Sequence, residues 1–406
     1  MSIDPERVGL SKTRLERITR HLEQHYIEPG KIAGCLTLVA RKGEIAYLQP
    51  QGLMDRERGK PMTVDTLFRI YSMTKPITSV ALMSLYEEGL FELSDPVHRF
   101  IPAWKGLRVY QQGRYPNFVS TPTEREMTIG DLLTHTSGLT YGFMERTNVD
   151  SAYRRLNVGE FKTAGTLAEM IDKLSSLPLE FSPGTAWNYS VSTDVLGYLV
   201  EVISGLQFDQ FLTKRIFEPL GMVDTSFQVS ADKLDRFAAN YARGRKKELL
   251  LEDDPQSSAY ASELSFFSGG GGLVSTAHDY WRFCEMLARG GELDGARILG
   301  RKTLELMTQN HLPNDQDLTE LSVGLFSEVA YQGTGFGLGF SINLGPARAK
   351  GVGSFGEFAW GGAASTIFWV DPSEELVVVF MTQLMPSRTF NFRGQLKSLV
   401  YSSIID

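Results

Sequence analysis

Strand patterns lie at the two ends of this chain and helical patterns fill its middle, so any large sheet must pair segments from opposite ends. Near the start, Gly34-Cys-Leu-Thr-Leu-Val-Ala40 and Ile45-Ala-Tyr-Leu48 flank Arg41-Lys-Gly-Glu44, which reads as two strands around a Gly-containing turn. Near the end, Phe336–Asn343, Ala363–Val370 and Leu376–Thr382 are rich in β-branched and aromatic residues. Asp371-Pro-Ser-Glu-Glu375 makes the last two a hairpin. Amphipathic helices bracket these strands, one on Leu15, Ile18, Leu22 and Tyr26, the other on Phe392, Leu396, Leu399 and Val400. Between about Lys75 and about Gly270 the helical patterns are Ile77–Glu88, Ile129–Leu133, Thr166–Leu177, Val195–Ser204 and Phe208–Phe217.

The fold class expected is α+β: an antiparallel sheet from both chain termini, flanked by helices, with a mainly helical domain inserted. Residues 1–75 and 270–406 would form a discontinuous α/β sandwich domain, and residues 76–269 the helical one. The active site would sit in the cleft between them, where small-molecule sites are favoured. The loop-rich stretch from Arg108 to Glu126 would wall or cover that cleft.

Several classes of partner are disfavoured. The 406 residues carry a net charge of −7, and no dense basic run occurs beyond Arg243–Lys247, which acidic residues follow closely. No nucleic acid is expected. No run of ~18 apolar residues exists, so no membrane span is expected. The N-terminus has no apolar signal core, which makes the cytoplasm the expected location. Cys35 and Cys284 each sit in an apolar run and read as buried free thiols. His21 and His25 have the spacing of two metal ligands on one helix face, but the glutamate lies at the wrong position for His-Glu-x-x-His. No metal and no cofactor are expected.

Three segments carry residues suited to chemistry. The first is Phe68-Arg-Ile-Tyr-Ser72-Met-Thr-Lys75, running into an apolar helix. Residues three apart share a helix face, so an amine on Lys75 would reach the Ser72 hydroxyl. A serine needs such a base to act as nucleophile. The alternative is a helix-capping serine beside an exposed lysine. A second Ser-x-x-Lys, Ser230-Ala-Asp-Lys233, lies among charges and reads as surface helix. The second segment, Phe181-Ser-Pro-Gly-Thr-Ala-Trp-Asn-Tyr189-Ser-Val191, puts a tyrosine at a turn before a helix, where a phenol can relay protons or simply pack. Tyr115-Pro-Asn117 is a rival without a clear scaffold. In the third, Glu357-Phe-Ala-Trp360-Gly-Gly-Ala363, glycines on an edge strand would let substrate approach the backbone. A free amide there would bind an oxyanion, the alternative being a bulge or tight turn.

Together the three segments resemble the serine β-lactamase and penicillin-binding-protein superfamily, and most closely its class C β-lactamase-like carboxylesterases, the family VIII esterases. Asp131-Leu-Leu-Thr-His-Thr-Ser-Gly138, Pro219-Leu-Gly-Met-Val-Asp-Thr225 and Gly270-Gly-Gly-Leu-Val-Ser-Thr276 extend the resemblance from about Ile3 to about Thr382. It implies a β-lactamase/transpeptidase-like fold. It also implies Ser72 as the acylated nucleophile, Lys75 as general base and Tyr189 as proton-transfer partner. The amides of Ser72 and Ala363 would form the oxyanion hole. Trp360, Gly361, Gly362 and Val191 would line the substrate.

The chain departs from true class C enzymes in two places. Val191 stands where Tyr-x-Asn has its asparagine, and Trp360-Gly-Gly replaces Lys-Thr-Gly. The lost lysine would engage the carboxylate of penicillins, so an uncharged ester of short to medium acyl length is the expected partner. An acyltransferase on the same scaffold is the nearest alternative. Weak β-lactamase or D-amino-acid peptidase activity and a non-catalytic ligand binder follow. Oligomeric state is open at this level.

Overall fold

The computed structural model describes residues 2–159, 165–324 and 329–406. Its main sheet has eight antiparallel strands, β1 (Gly34–Arg41), β2 (Glu44–Asp55), β3 (Lys60–Pro61), β4 (Thr334–Phe336), β5 (Ser341–Asn343), β6 (Phe358–Gly361), β7 (Ile367–Asp371) and β8 (Leu376–Thr382). The spatial order is β4-β5-β6-β7-β8-β1-β2-β3. The first strand of the chain and the last of the sheet therefore lie side by side, with Leu38 opposite Val379. Both are buried along their whole length. That explains their near-continuous apolar runs, which strands covered on two faces require.

The two faces are covered by helices from different parts of the chain. On one side α1 (Lys12–Leu22) and the C-terminal helix Phe392–Tyr401 bring Leu15, Ile18, Phe392 and Leu396 against Val39, Trp369, Val378 and Phe380. On the other, Ala277–Ala288 packs over β8, β7 and β1. Beyond it lies α2 (Thr74–Glu87), whose residues Thr74–Leu85 are all buried. A helix apolar on every side must be surrounded; its neighbour is α3 (Ser192–Ser204). The α+β class and the pairing of both chain ends are as the sequence implied.

Four details differ from the sequence reading. The stretch Phe336–Asn343 is two strands, because Gly337 and Phe340 close a turn between them. The stretch Ala363–Val370 becomes strand only at Ile367, since Gly362 donates to the Thr366 carbonyl across a tight turn. The loop-rich stretch after Arg108 contains a hairpin, Arg108–Arg114 with Asn117–Pro122. The middle segment is also not uniformly helical. Asn240–Arg243 and Leu249–Asp253 form a hairpin that pairs in parallel with Leu384–Met385, just after β8. The basic residues Arg245–Lys247 lie at its turn, as a solvated loop should.

Candidate active site

The approach to Ser72 is braced on its upstream side. Phe68–Arg69 pairs with Val274–Ser275, and Ile70 donates to the Leu273 carbonyl. Arg69 is wholly buried. Its guanidinium meets Asp253 at 2.7 Å and the Ala238 carbonyl at 2.6 Å. Tyr71 then takes φ +42°, a left-handed conformation that costs energy in a bulky residue and must be held by its surroundings. Its phenol, facing Asn240, is pushed up to about 12 by burial. From this bend a short 3-10 turn leads into α2, where Pro76 sits in the first turn, a position that needs no N–H.

Ser72, Lys75 and Tyr189 converge. Tyr189 Oη lies 2.6 Å from Ser72 Oγ, and Lys75 Nζ lies 3.4 Å from the same oxygen. Lys75 also donates to the Gly270 carbonyl at 2.6 Å and sits over the rings of Tyr189 and Tyr141, 4.5 and 5.2 Å from their centroids. All three are nearly inaccessible: Ser72 is 3%, Lys75 2% and Tyr189 1% exposed. The exposed Ser230-x-x-Lys233 copy instead forms part of a 3-10 helix, with Lys233 paired to Asp224. The rival Tyr115 lies between the two strands of the hairpin that starts at Arg108, beneath Arg155.

The neighbours of Lys75 include Asp194, which sequence reading passed over, and His135 of the segment Asp131–Gly138. Asp194, in the first turn of α3, is buried; burial raises its pKa and the Lys75 charge opposes that. His135 is held well below the ordinary histidine value, first by burial and then by Lys75, so its imidazole is neutral. Its Nδ1 meets Ser190 Oγ at 3.1 Å. The signal for Asp194 was a carboxylate inside the apolar run Val191-Ser-Thr-Asp-Val-Leu. An acid in a helix's first turn is common for dipole reasons alone, which masks it.

The third segment sits differently from expectation. Strand β6 is interior, between β5 and β7. The β5 pairing stops at Ser341 opposite Ala359, so Trp360 and Gly361 are paired only with β7. The local edge is real although the strand is not an edge strand. The glycines there make room for the protein itself. A methyl on Gly361 would meet the Arg393 guanidinium, and one on Gly362 would meet the Ile70 carbonyl and Thr366. Gly362 thus lets the end of β6 approach the chain just before Ser72. The N–H groups of Ser72 and Ala363 donate to no group among the described residues. Trp360 is 1% exposed and packs on Tyr189 and Phe336, at 5.6 and 5.4 Å between ring centroids. It borders a cavity of about 500 Å³ that runs along β6. Val191 faces Gly159 and is fully buried, so its side chain is packed in the core rather than open to solvent.

The beta-lactamase family model matches residues 19–401, which include every group just described. The chain belongs to the beta-lactamase family. It is 37% identical over 362 residues to the protein Rv1367c of Mycobacterium tuberculosis, covering 88% of each chain. It is 32% identical over 403 residues to the esterase EstB of Burkholderia gladioli, covering 94% of this chain and 93% of that one. Among solved structures it is similar to EstCE1, a hydrolase with promiscuous acyltransferase activity, at 28% identity and a TM-score of 0.78, covering 96% and 99% of the two chains. Among the described residues no group of side chains is arranged to hold a metal ion, and no helix is long and apolar enough to cross a membrane.

Proposed function

We propose that the protein is a serine carboxylesterase that forms an acyl-enzyme on Ser72. The observation that carries this reading is that Tyr189 Oη and Lys75 Nζ both address one hydroxyl in a dry cleft. In the first step Lys75 takes the Ser72 proton, directly or through the Tyr189 phenol, and Oγ bonds to the ester carbonyl carbon. The oxygen that becomes negative is received by the two uncommitted amides, Ser72 N–H and Ala363 N–H. The ester C–O bond then breaks, and the leaving alkoxide takes the proton from the same pair. In the second step water attacks the acyl carbon and gives its proton to that pair; the acyl C–Oγ bond then breaks, Ser72 Oγ takes the proton back, and the carboxylic acid leaves.

An ester without a carboxylate is favoured by Trp360-Gly361-Gly362 in that this segment carries no cation of its own where Lys-Thr-Gly has one; the Arg393 guanidinium lies against Gly361. The acyl group is read as short to medium in length; the cavity along β6 is lined by Trp360 but by none of Ser72, Lys75 and Tyr189, so it does not set that length. Transfer of the acyl group to an alcohol is the second reading, supported by the exclusion of water from Ser72 and by the likeness to EstCE1 and its promiscuous acyl transfer.

Hydrolysis of p-nitrophenyl butyrate with and without a competing alcohol, followed by product partition, tests both. Release of butyric acid is expected to dominate, and predominant ester product would replace hydrolase by acyltransferase. Ser72→Ala should abolish turnover and Lys75→Ala nearly so; wild-type-like rates in either would overturn the assignment. Nitrocefin turnover equal to the ester rate would overturn the reading of Trp360.

A further inference from the structure

The run Ser268-Gly-Gly-Gly-Gly-Leu273 threads between α2 and α3 and is tied to both. Thr78 donates to the Gly269 carbonyl at 2.8 Å, and Leu273 N–H donates to Thr74 Oγ at 3.2 Å. On the α3 side, Asp194 Oδ1 accepts from Ser268 Oγ at 2.5 Å and from Gly270 N–H at 3.0 Å. The carbonyl of that same Gly270 receives Lys75 Nζ at 2.6 Å. Only glycine fits here. A Cβ on Gly269 would stand 2.6 Å from the Thr193 carbonyl. One on Gly270 would stand 2.6 Å from Asp194 Oδ2 and 2.7 Å from Tyr141 Oη.

We propose that Asp194 is the positioning residue of Lys75: it pins Gly270, whose carbonyl aims the amine at Ser72, and its buried charge stabilises the ammonium formed in each proton transfer. The inference rests on the esterase reading and adds a fourth side chain to it. A buried carboxylate with two donors on one oxygen is costly unless it answers a nearby positive charge. The ammonium that Lys75 becomes on taking the serine proton is that charge, lying across one residue of backbone. Burial raises the Asp194 pKa, and a positive charge on Lys75 opposes that rise. Among the described residues, titratable groups facing Lys75 include the phenols of Tyr141 and Tyr189 and the neutral imidazole of His135.

The test separates charge from shape. Asp194→Asn keeps an oxygen for Ser268 and Gly270 and removes the charge. The rate at which a fluorophosphonate labels the full-length protein is followed against pH by intact-protein mass. A single wild-type adduct, absent from Ser72→Ala, establishes the nucleophile; without it the esterase reading falls, and this inference with it. Given that adduct, Asp194→Asn is expected to label about tenfold more slowly and to move the acid limb of the profile about one unit lower, as loss of a nearby opposite charge does to an amine. An acid limb that stays in place overturns the proposal while leaving the esterase reading intact, because a packing role moves rates without moving that limb. If Asp194→Asn does not fold, Ser268→Ala serves instead. It weakens the hold on the ionised carboxylate and should move the limb the same way by a smaller amount; an unmoved limb there also overturns the proposal.

Discussion

Tyr189 Oη stands 2.6 Å from Ser72 Oγ, nearer than Lys75 Nζ at 3.4 Å. The phenol is therefore the closer partner for the serine proton, with the amine behind it over the face of the same ring. Tyr189→Phe keeps the ring and its packing against Trp187 and Trp360 and deletes the phenol's contact with Ser72. Its kcat on p-nitrophenyl butyrate should fall on the order of 10²-fold, the usual worth of a positioned proton-transfer group. Thermal unfolding should stay close to wild type. A negligible loss of rate would make the tyrosine a packing residue.

Gly362 makes a second prediction. A Cβ added there would run into the Ile70 carbonyl and the Thr366 hydroxyl, so Gly362→Ala must push the end of β6 away from the chain before Ser72. The Ala363 amide moves with it. Losing one oxyanion donor costs on the order of 10²–10³-fold in kcat. The expected result is a kcat loss of that order with KM little changed. Steady-state kinetics with unaltered kcat would remove Ala363 from the oxyanion hole.

These two residues also show where the sequence was readable. Ser72, in the 3-10 turn, and Lys75, in the first turn of α2, are three apart, so local helical pitch alone brings them together. Tyr189 needed the resemblance, since a turn before a helix says nothing about what it faces. Pairing of the two chain ends was legible because β1 and β8 carry apolar runs that only a doubly covered strand would keep. The Asp194–Gly270 contact spans 76 positions and joins two segments that each look ordinary alone. The glycines of the third segment were readable as a need for space, but not as space for Arg393 and Ile70. Strand β5 has three residues, too short for its period to be seen, so β6 looked like an edge.

Arg69 ties the nucleophile's strand to the hairpin Asn240–Asp253. It is fully buried, with Asp253 as its ion-pair partner and its guanidinium carbon 3.9 Å from the centroid of the Phe237 ring. Removing one member of a buried pair leaves the other charge uncompensated, at about 3–5 kcal/mol. Arg69→Met should lower the unfolding free energy in urea by about that amount. Asp253→Asn in the same chain should recover part of the loss, because the orphaned carboxylate is gone. Equal stability of Arg69→Met and wild type would show that the pair is not what braces the approach to Ser72.

His135 supplies a pH dependence whose sign is fixed. Its folded-state pKa lies well below the ordinary 6.5, so below that pH the unfolded chain takes up this proton while the folded chain does not. Stability from this group is complete above about pH 6.5 and declines as pH falls toward the depressed value, by up to about 1.4 kcal/mol per pH unit. Asp194, Glu180 and Glu357 have raised values and act in the opposite sense, but they are common to both proteins compared. His135→Gln keeps a polar group for Ser190 and cannot titrate. Between pH 7 and pH 5 its Tm should drop less than that of wild type. Equal drops in the two proteins would mean that the imidazole takes up its proton without unfolding, against the burial that surrounds it.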